Sequence, residues 1–394
     1  MTDLATRATP SRAPLLRRAA PALLGYAAVR ALGLVVLAVW SAARGKSAYT
    51  LLTARWDSLW YTRVAELGYG YEVRLPNGDV HSNLAFFPLL PWLERALHAV
   101  TPLSYADAGL AVGLLASLAA ACGIFAVAEH VYGRRVGVCA VLLWAVLPVG
   151  IVQSMAYSES LFTALAAWSL YAVLTGRWVS AGVLAALAGL TRPVGLAVVA
   201  AVWVTGVISF VRDRSARGAS SARDGEHAPA APRALGMLLA PLGAAGYVLW
   251  VGHRTGKGPL GYLDVQAGWR NGFDGGYAFA RFVADKFTSF PSALAGTGLI
   301  IGVALLIWLY VTGVRQGQPV ALLVYTGVVL ALALCASSYF GSKPRLLMPA
   351  FPVLFPLARA LARLRTSRSA LVTAGVAAAT AVYGAFWLNG SGPP

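Results

Sequence analysis

The chain has 394 residues, of which 58% are hydrophobic and 12% charged, with a mean hydropathy of +0.66. This balance excludes an ordinary soluble domain, and recurring apolar runs of about 20 residues without strand-like alternation exclude an outer-membrane barrel. The net charge of +17 is then first a question of which side of a membrane the Lys and Arg occupy, and only distantly one of nucleic acid.

In chain order, Arg7, Arg12, Arg17 and Arg18 precede an apolar run over 21–43. The run is too long for a signal-peptide core and lacks a clear cleavage site, so it reads as an uncleaved signal anchor with a cytoplasmic N-terminus. Arg30 inside it reads as snorkelling or paired with another helix. Residues 44–105 form a first extracytoplasmic loop. It opens with Arg55-Trp56-Asp57-Ser58-Leu59-Trp60-Tyr61, read as a helix along the membrane surface. Its apolar stripe is Trp56, Leu59, Trp60, Val64 and Leu67, and Gly68 ends it. Pro76-Asn77-Gly78-Asp79 is a turn, and Phe86-Phe87-Pro88-Leu89-Leu90-Pro91-Trp92 opens an interfacial or re-entrant helix to about Val100.

Spans follow over 106–127, 137–152, 160–175, 178–191 and 193–211. A polar cytoplasmic linker occupies 212–233. A further span over 235–252 leads to a second large extracytoplasmic loop, 253–290, and the last spans cover 291–313, 319–336, 346–362 and 369–388. The expectation is an all-α polytopic membrane protein of about eleven spans, with juxtamembrane helices on the extracytoplasmic side. No polar segment is long enough for a large core of its own, so 1–394 is read as one transmembrane domain. Basic clusters fall on the cytoplasmic side. The acids Asp57, Glu66, Glu72, Asp79, Glu94, Asp107, Glu159, Asp264, Asp274 and Asp285 fall opposite. Cys122, Cys139 and Cys335 lie in apolar runs without CxxC spacing and read as small core residues. No internal repeat stands out, which argues against an inverted-repeat transporter.

Several residues carry candidate chemistry. Asp57 sits where water, headgroup and protein meet, placed to take a proton from an attacking sugar hydroxyl; the bland alternative is a helix N-cap. Glu159, in Ala156-Tyr157-Ser158-Glu159-Ser160-Leu161-Phe162, is a carboxylate at a span's outer end, either functional or in a first turn capped by Ser158. Arg192 before Pro193, and Lys343-Pro344-Arg345, are cations on the disfavoured side. They suit a lipid phosphate as well as ordinary headgroup contact. Trp56, Trp60, Tyr61 and Tyr157 can stack on sugar faces or form an interfacial belt. His81 is the histidine most worth testing, although a solvated loop histidine fits as well. The five histidines show no metal spacing, so no metal cofactor is expected. No phosphate-binding glycine loop is present, which argues against a nucleotide donor.

Taken together, Trp56-Asp57-x-x-Trp60-Tyr61 with Gly68-Tyr69, Phe86-Phe87-Pro88-Leu89-x-Pro91, Ala156 to Phe162, Thr191-Arg192-Pro193 and Lys343-Pro344-Arg345 resemble the PIG-V-type mannosyltransferases. These belong to the GT-C class of membrane glycosyltransferases. The resemblance implies inverting transfer of mannose from a polyprenyl-phosphate carrier to a glycan, glycolipid or protein acceptor on the non-cytoplasmic face. The family's catalytic aspartate maps onto Asp57 and its later acidic position onto Glu159. Trp-Asp-Ser stands here where many such enzymes carry paired acids, so a metal requirement is not implied. Alanine- and arginine-rich composition with few lysines points to a bacterial plasma membrane. The competing readings are another lipid-phosphate-linked sugar, a flippase or transporter for lipid-linked sugars, and an inactive scaffold.

Overall fold

A computed structural model describes residues 14–219, 230–390 and 392. Arg7, Arg12 and residues 220–229 of the expected linker lie outside the described residues. The protein is mostly helical. Among the described residues, six helices are long and apolar enough to cross a membrane, the first being α1 (Leu15–Ala43). The others are α5 (Tyr105–Tyr132), α9 (Leu196–Ala219), the joined pair α10 (Ala230–Leu239) and α11 (Leu242–Thr255), α14 (Ser292–Arg315) and α18 (Thr366–Leu388). A seventh crossing results if α16 (Lys343–Leu347, extended by a turn from Phe340) and α17 (Phe355–Arg363, from Phe351), bent by 74°, form one broken span. α7 (Ser158–Leu174), α8 (Trp178–Gly189) and α15 (Val320–Cys335) are apolar but shorter, and α6 (Arg134–Ala145) has 12 residues.

Length and apolarity therefore support six or seven crossings, whereas the expected count of about eleven also included these short helices. At 1.5 Å per residue a 12-residue helix covers only ~18 Å of a hydrocarbon core of ~30 Å. The apolar runs at 137–152 and 346–362 are interrupted, and the run at 178–191 is followed, by proline, which removes a donor and blocks the preceding turn. Pro148 follows α6, Pro193 follows α8, and Pro349 and Pro352 separate α16 from α17. Around the expected linker the helices run further than the polar composition suggested, α9 to Ala219 and α10 from Ala230.

Broken helices leave carbonyls without partners, which is costly where water is absent. Arg30 of α1, 8% exposed, donates from its guanidinium to Ala145 O at the end of α6 and to Gly150 O in the following turn. The arginine is thus paired with another helix's terminus, one of the two readings its sequence position allowed.

The opposite ends of the bundle are tied differently. At one end Arg18 pairs with Glu129 at 3.1 Å, and Arg135 donates to Leu364 O. At the other end Lys46 donates to Asn389 O at 2.7 Å, which docks the C-terminus of α18 on the exit of α1. That second end carries the short elements of the first loop: α2 (Ala48–Thr53), α3 (Asp57–Leu67), the antiparallel ribbon of β1 (Glu72–Arg74) and β2 (Val80–Ser82), and α4 (Leu89–Val100). The ribbon was not expected from the sequence, but its turn was: Gly78 at φ +87° closes it between Leu75 and Asp79, which also bond through the backbone at 2.9 Å.

The second loop packs on the first. It contains α12 (Gly261–Gly268), β3 (Gly272–Phe273), which pairs with β4 (Ala336–Ser337), and α13 (Tyr277–Asp285). Trp269 donates to Ser82 O at 3.0 Å, Arg270 pairs with Asp79 at 2.6 Å, and Trp269 stands edge-on to Trp60 and Phe86.

Replacing Arg30 by Met keeps the volume and leaves two carbonyls at the α6 break unsatisfied. The expected loss is about 1–3 kcal/mol of stability, read as a lower melting temperature in detergent; an unchanged melting temperature would remove Arg30 from this role.

Candidate functional site

α3 begins at Asp57 because the chain turns sharply before it. Trp56 has φ +53° and ψ −124°, an unfavourable backbone for a residue with a side chain, tolerated only where its surroundings fix it. The fixing groups are local and distant. Arg55 N donates to Ser58 Oγ at 3.1 Å, and Ser58 Oγ donates to Arg55 O at 2.6 Å. The Arg55 guanidinium lies 4.1 Å from the Trp56 ring centroid and donates to Gly390 O at 3.2 Å, just past α18. Asp57 is therefore the first residue of α3, and its side chain keeps 22% of its surface exposed.

Its carboxylate meets Arg345 of α16, Nη1 to Oδ2 at 2.6 Å. The same guanidinium nitrogen lies 3.5 Å from Glu159 Oε1, and Arg192 Nη1 reaches that oxygen at 2.5 Å. Arg192 also donates to Ser158 Oγ at 3.1 Å, and Ser158 Oγ and Tyr61 Oη share a hydrogen bond of 2.7 Å. Tyr157 presents its ring to Arg345, 5.0 Å from the guanidinium carbon. Two carboxylates and two guanidinia thus form one chain, Asp57, Arg345, Glu159, Arg192, with Glu159 1% exposed. A buried carboxylate keeps its charge only beside cations. Burial pushes the Tyr61 phenol up, so it stays a neutral donor or acceptor toward Ser158.

The segment before α7 comes close because α5 carries no side chain there. A Cβ on Gly113 would lie 2.6 Å from Met155 O, and one on Gly109 3.3 Å from Ala156 Cβ. This fixes Tyr157, Ser158 and Glu159 against α3. Capping of α7 by Ser158 was one of the two readings of this segment; in the structure Tyr157 is the N-cap residue and makes no side-chain cap bond, and the Ser158 hydroxyl is engaged by Tyr61 and Arg192. Glu159 does sit in the first turn of α7, where a carboxylate suits the helix dipole.

Asp57, Glu159, Arg192, Arg345, Tyr61 and Tyr157 are thus brought together, while four other candidates are not. Lys343 faces away from the acids: it donates to Ala333 O at 2.7 Å and Ala336 O at 2.8 Å, closing the end of α15 between the rings of Phe279 and Phe340. Residues two apart on a helix point about 200° apart, so Lys343 and Arg345 cannot serve as a pair. Trp60 is stacked on Phe86 with ring centroids 5.6 Å apart, and Trp56 is covered by Arg55. His81 lies flat on Trp269 at 4.0 Å, and burial there lowers its pKa, with Arg270 adding to the effect and Asp79 opposing it. The expected stripe of α3 also differs. Ser58, Tyr61, Val64 and Ala65 are buried while Leu59 and Leu67 are exposed, because that face packs on α4 and α5. Among the described residues no three His, Cys, Asp or Glu side chains cluster as metal ligands would.

Sequence reasoning missed the anchoring role of Arg55, for which the only signal was its place beside Trp56-Asp57, and the isolation of Glu94. This α4 carboxyl is fully buried, with its Oε1 2.6 Å from where a Gly109 Cβ would stand. Neither of its oxygens has a hydrogen-bond partner among the described residues. Burial raises its pKa well above the usual range and favours the neutral acid.

Residues 40–214 match the family model described as Mannosyltransferase (PIG-V), a little under half of the chain. The fold is similar to that of ArnT from Cupriavidus metallidurans bound to undecaprenyl phosphate, with a TM-score of 0.53 and 16% identity, covering 90% of this chain and 63% of ArnT. The apo state of the same enzyme gives 0.53 and 17%, covering 88% of this chain and 61% of that one. The chain therefore spans under two thirds of ArnT. The oligosaccharyltransferase of Archaeoglobus fulgidus in its apo form gives a TM-score of 0.46 at 13% identity over 91% of this chain and 56% of that one. These neighbours are GT-C glycosyltransferases, and the likeness to ArnT is one of fold. No curated protein matches the sequence.

Glu94 yields a pH-dependent prediction. A carboxyl whose folded pKa lies above its unfolded one stabilises the fold at low pH, and that contribution is lost as pH rises from the unfolded value through the folded one. Glu94→Gln removes this titration, so its melting temperature relative to wild type should be higher at pH 8 than at pH 4.5. A difference independent of pH would show that Glu94 is not held neutral.

Proposed function

We propose that this protein is an inverting glycosyltransferase of the bacterial plasma membrane that moves mannose from a polyprenyl-phosphate-mannose donor to an acceptor on the extracytoplasmic face. The observation that carries the reading is the buried chain in which Arg345 joins Asp57 to Glu159 and Arg192. The PIG-V match supports it, since the matched segment contains Asp57, Glu159 and Arg192. The undecaprenyl phosphate bound by the ArnT neighbour supports a lipid phosphate as the leaving group.

In this mechanism the donor phosphate enters between Arg345 and Arg192. The Nε of Arg345 makes no hydrogen bond among the described residues, so donor capacity is available. Before the donor arrives Arg345 neutralises Asp57; a phosphate sharing that guanidinium leaves the aspartate freer to act as a base. The acceptor hydroxyl attacks C1 of the sugar from the face opposite the phosphate and its proton passes to Asp57. The C1–O bond to the phosphate breaks, and the charge that develops on the departing phosphate rests on the two guanidinia. Glu159 holds both guanidinia in place, and Tyr61 fixes the Ser158 hydroxyl that also receives Arg192. The cationic work falls to arginine, so the reaction is proposed to need no metal. The acceptor is a glycan, glycolipid or protein.

Asp57→Asn should lower kcat by about 10²–10⁴-fold with donor binding retained, whereas Arg345→Gln should chiefly weaken donor binding. Purified protein given radiolabelled mannosyl, glucosyl and arabinosyl lipid phosphates separately, with and without EDTA, tests both chemistry and sugar. Equal turnover in wild type and Asp57→Asn would reject Asp57 as the base, and no turnover of any of the three donors by wild type would reject the enzyme reading. Loss of activity in EDTA that a divalent cation restores would reject the metal-free one.

A further inference from the structure

A second apolar feature lies outside the acid–cation chain. Between α4, α8 and α11 runs an open groove of about 550 Å³, within the range of about 300–1,000 Å³ usual for small-molecule sites. Its walls are Trp92, Leu190, Tyr247, Trp250 and Tyr69, and Gly246 opens onto it. The phenol groups add no polarity to it. Tyr247 Oη donates to Leu84 O at 2.9 Å and Phe86 O at 2.8 Å, and Tyr69 Oη donates to Phe86 O at 2.8 Å. The groove therefore offers ring faces and aliphatic surface along a helix pair, Ala230–Thr255, that is apolar enough to cross a membrane.

One cation marks its end. Arg254 lies about one helical turn beyond Trp250, with its guanidinium carbon 5.4 Å from that ring's centroid and Nη2 donating to Tyr69 O at 3.0 Å. It thus sits where two groove walls meet, and it pairs with no acid among the described residues. The groove is separate from the proposed donor site. The Phe86 ring packs against Trp60 and Tyr61 on the site side, its carbonyl takes the two phenols of the groove, and Leu89 N bonds Leu190 O at 3.0 Å between them.

We infer that this groove is a binding site for an anionic membrane phospholipid, one hydrocarbon chain lying over Gly246 and the phosphate held by Arg254. The chemistry that selects it is an apolar trough at membrane depth with a single guanidinium at one end, which suits an amphiphile with an anionic head. Tyr69 follows α3 and contacts both Arg254 and Phe86, so a bound lipid would brace the first loop against α11.

Delipidated protein in detergent, titrated with phosphatidylglycerol, phosphatidylcholine or undecaprenyl phosphate and followed by native mass spectrometry, tests this. A Cβ on Gly246 meets no atom within 4 Å, so Gly246→Trp can start its side chain into the trough, and it replaces a poor helix former. One phosphatidylglycerol per chain is expected, bound about tenfold or more tightly than phosphatidylcholine. Gly246→Trp and Arg254→Gln should each weaken it about tenfold, and Leu305→Trp on α14 should leave it unchanged. Equal binding in wild type and both groove variants would overturn the proposal. So would stoichiometric displacement by undecaprenyl phosphate, which would give the groove to the sugar donor. The readout is binding, so it stands or falls independently of the transferase reading.

Discussion

The arrangement depends on one guanidinium shared by two acids. Glu159 is almost completely buried at the start of α7, and a carboxylate in that position needs cations in contact with it. Arg192 arrives from the break between α8 and α9, and Arg345 from the short helix α16. Both elements end or bend because proline stops them, and those interruptions lower the two arginines to the depth of Glu159. Arg345 then reaches past Glu159 to Asp57, which connects the first loop to the last third of the chain.

The same requirement sorts the other basic residues. Arg30 closes the end of α6, Lys343 the end of α15, and Arg55 and Lys46 the end of α18, each through backbone carbonyls. A membrane fold with broken helices must satisfy such carbonyls internally, and long cationic side chains serve where no other donor is near. Arg192 and Arg345 differ from these in meeting the buried Glu159.

The aromatic residues of the loops follow a parallel division. Trp60, Phe86, Trp269 and His81 stack on one another and join the two loops into one layer over the bundle. Tyr61 and Tyr157 instead turn toward the acid–cation chain. Trp56, in a backbone conformation that disfavours side chains, acts through its position: it sets the start of α3 and therefore where Asp57 points.

Much of this was legible in the sequence. Hydropathy fixed the helical membrane class, Gly68 marked the end of α3, Pro76-Asn77-Gly78-Asp79 marked the loop turn, and Asp57, Glu159, Arg192 and Arg345 stood out because charge at apolar boundaries needs a reason. Composition and local pattern carry that information because desolvation acts on each residue where it stands. Tertiary structure alone decided the rest: that Lys343 and Arg345 point opposite ways, that Ser158 bonds Tyr61 and Arg192 in place of capping its helix, that apolar runs of similar composition become helices of different length, and that the acids and arginines form one chain. Those outcomes depend on which carbonyls are left open by a break and which glycines admit a neighbouring strand, and neither is set by residues adjacent in sequence.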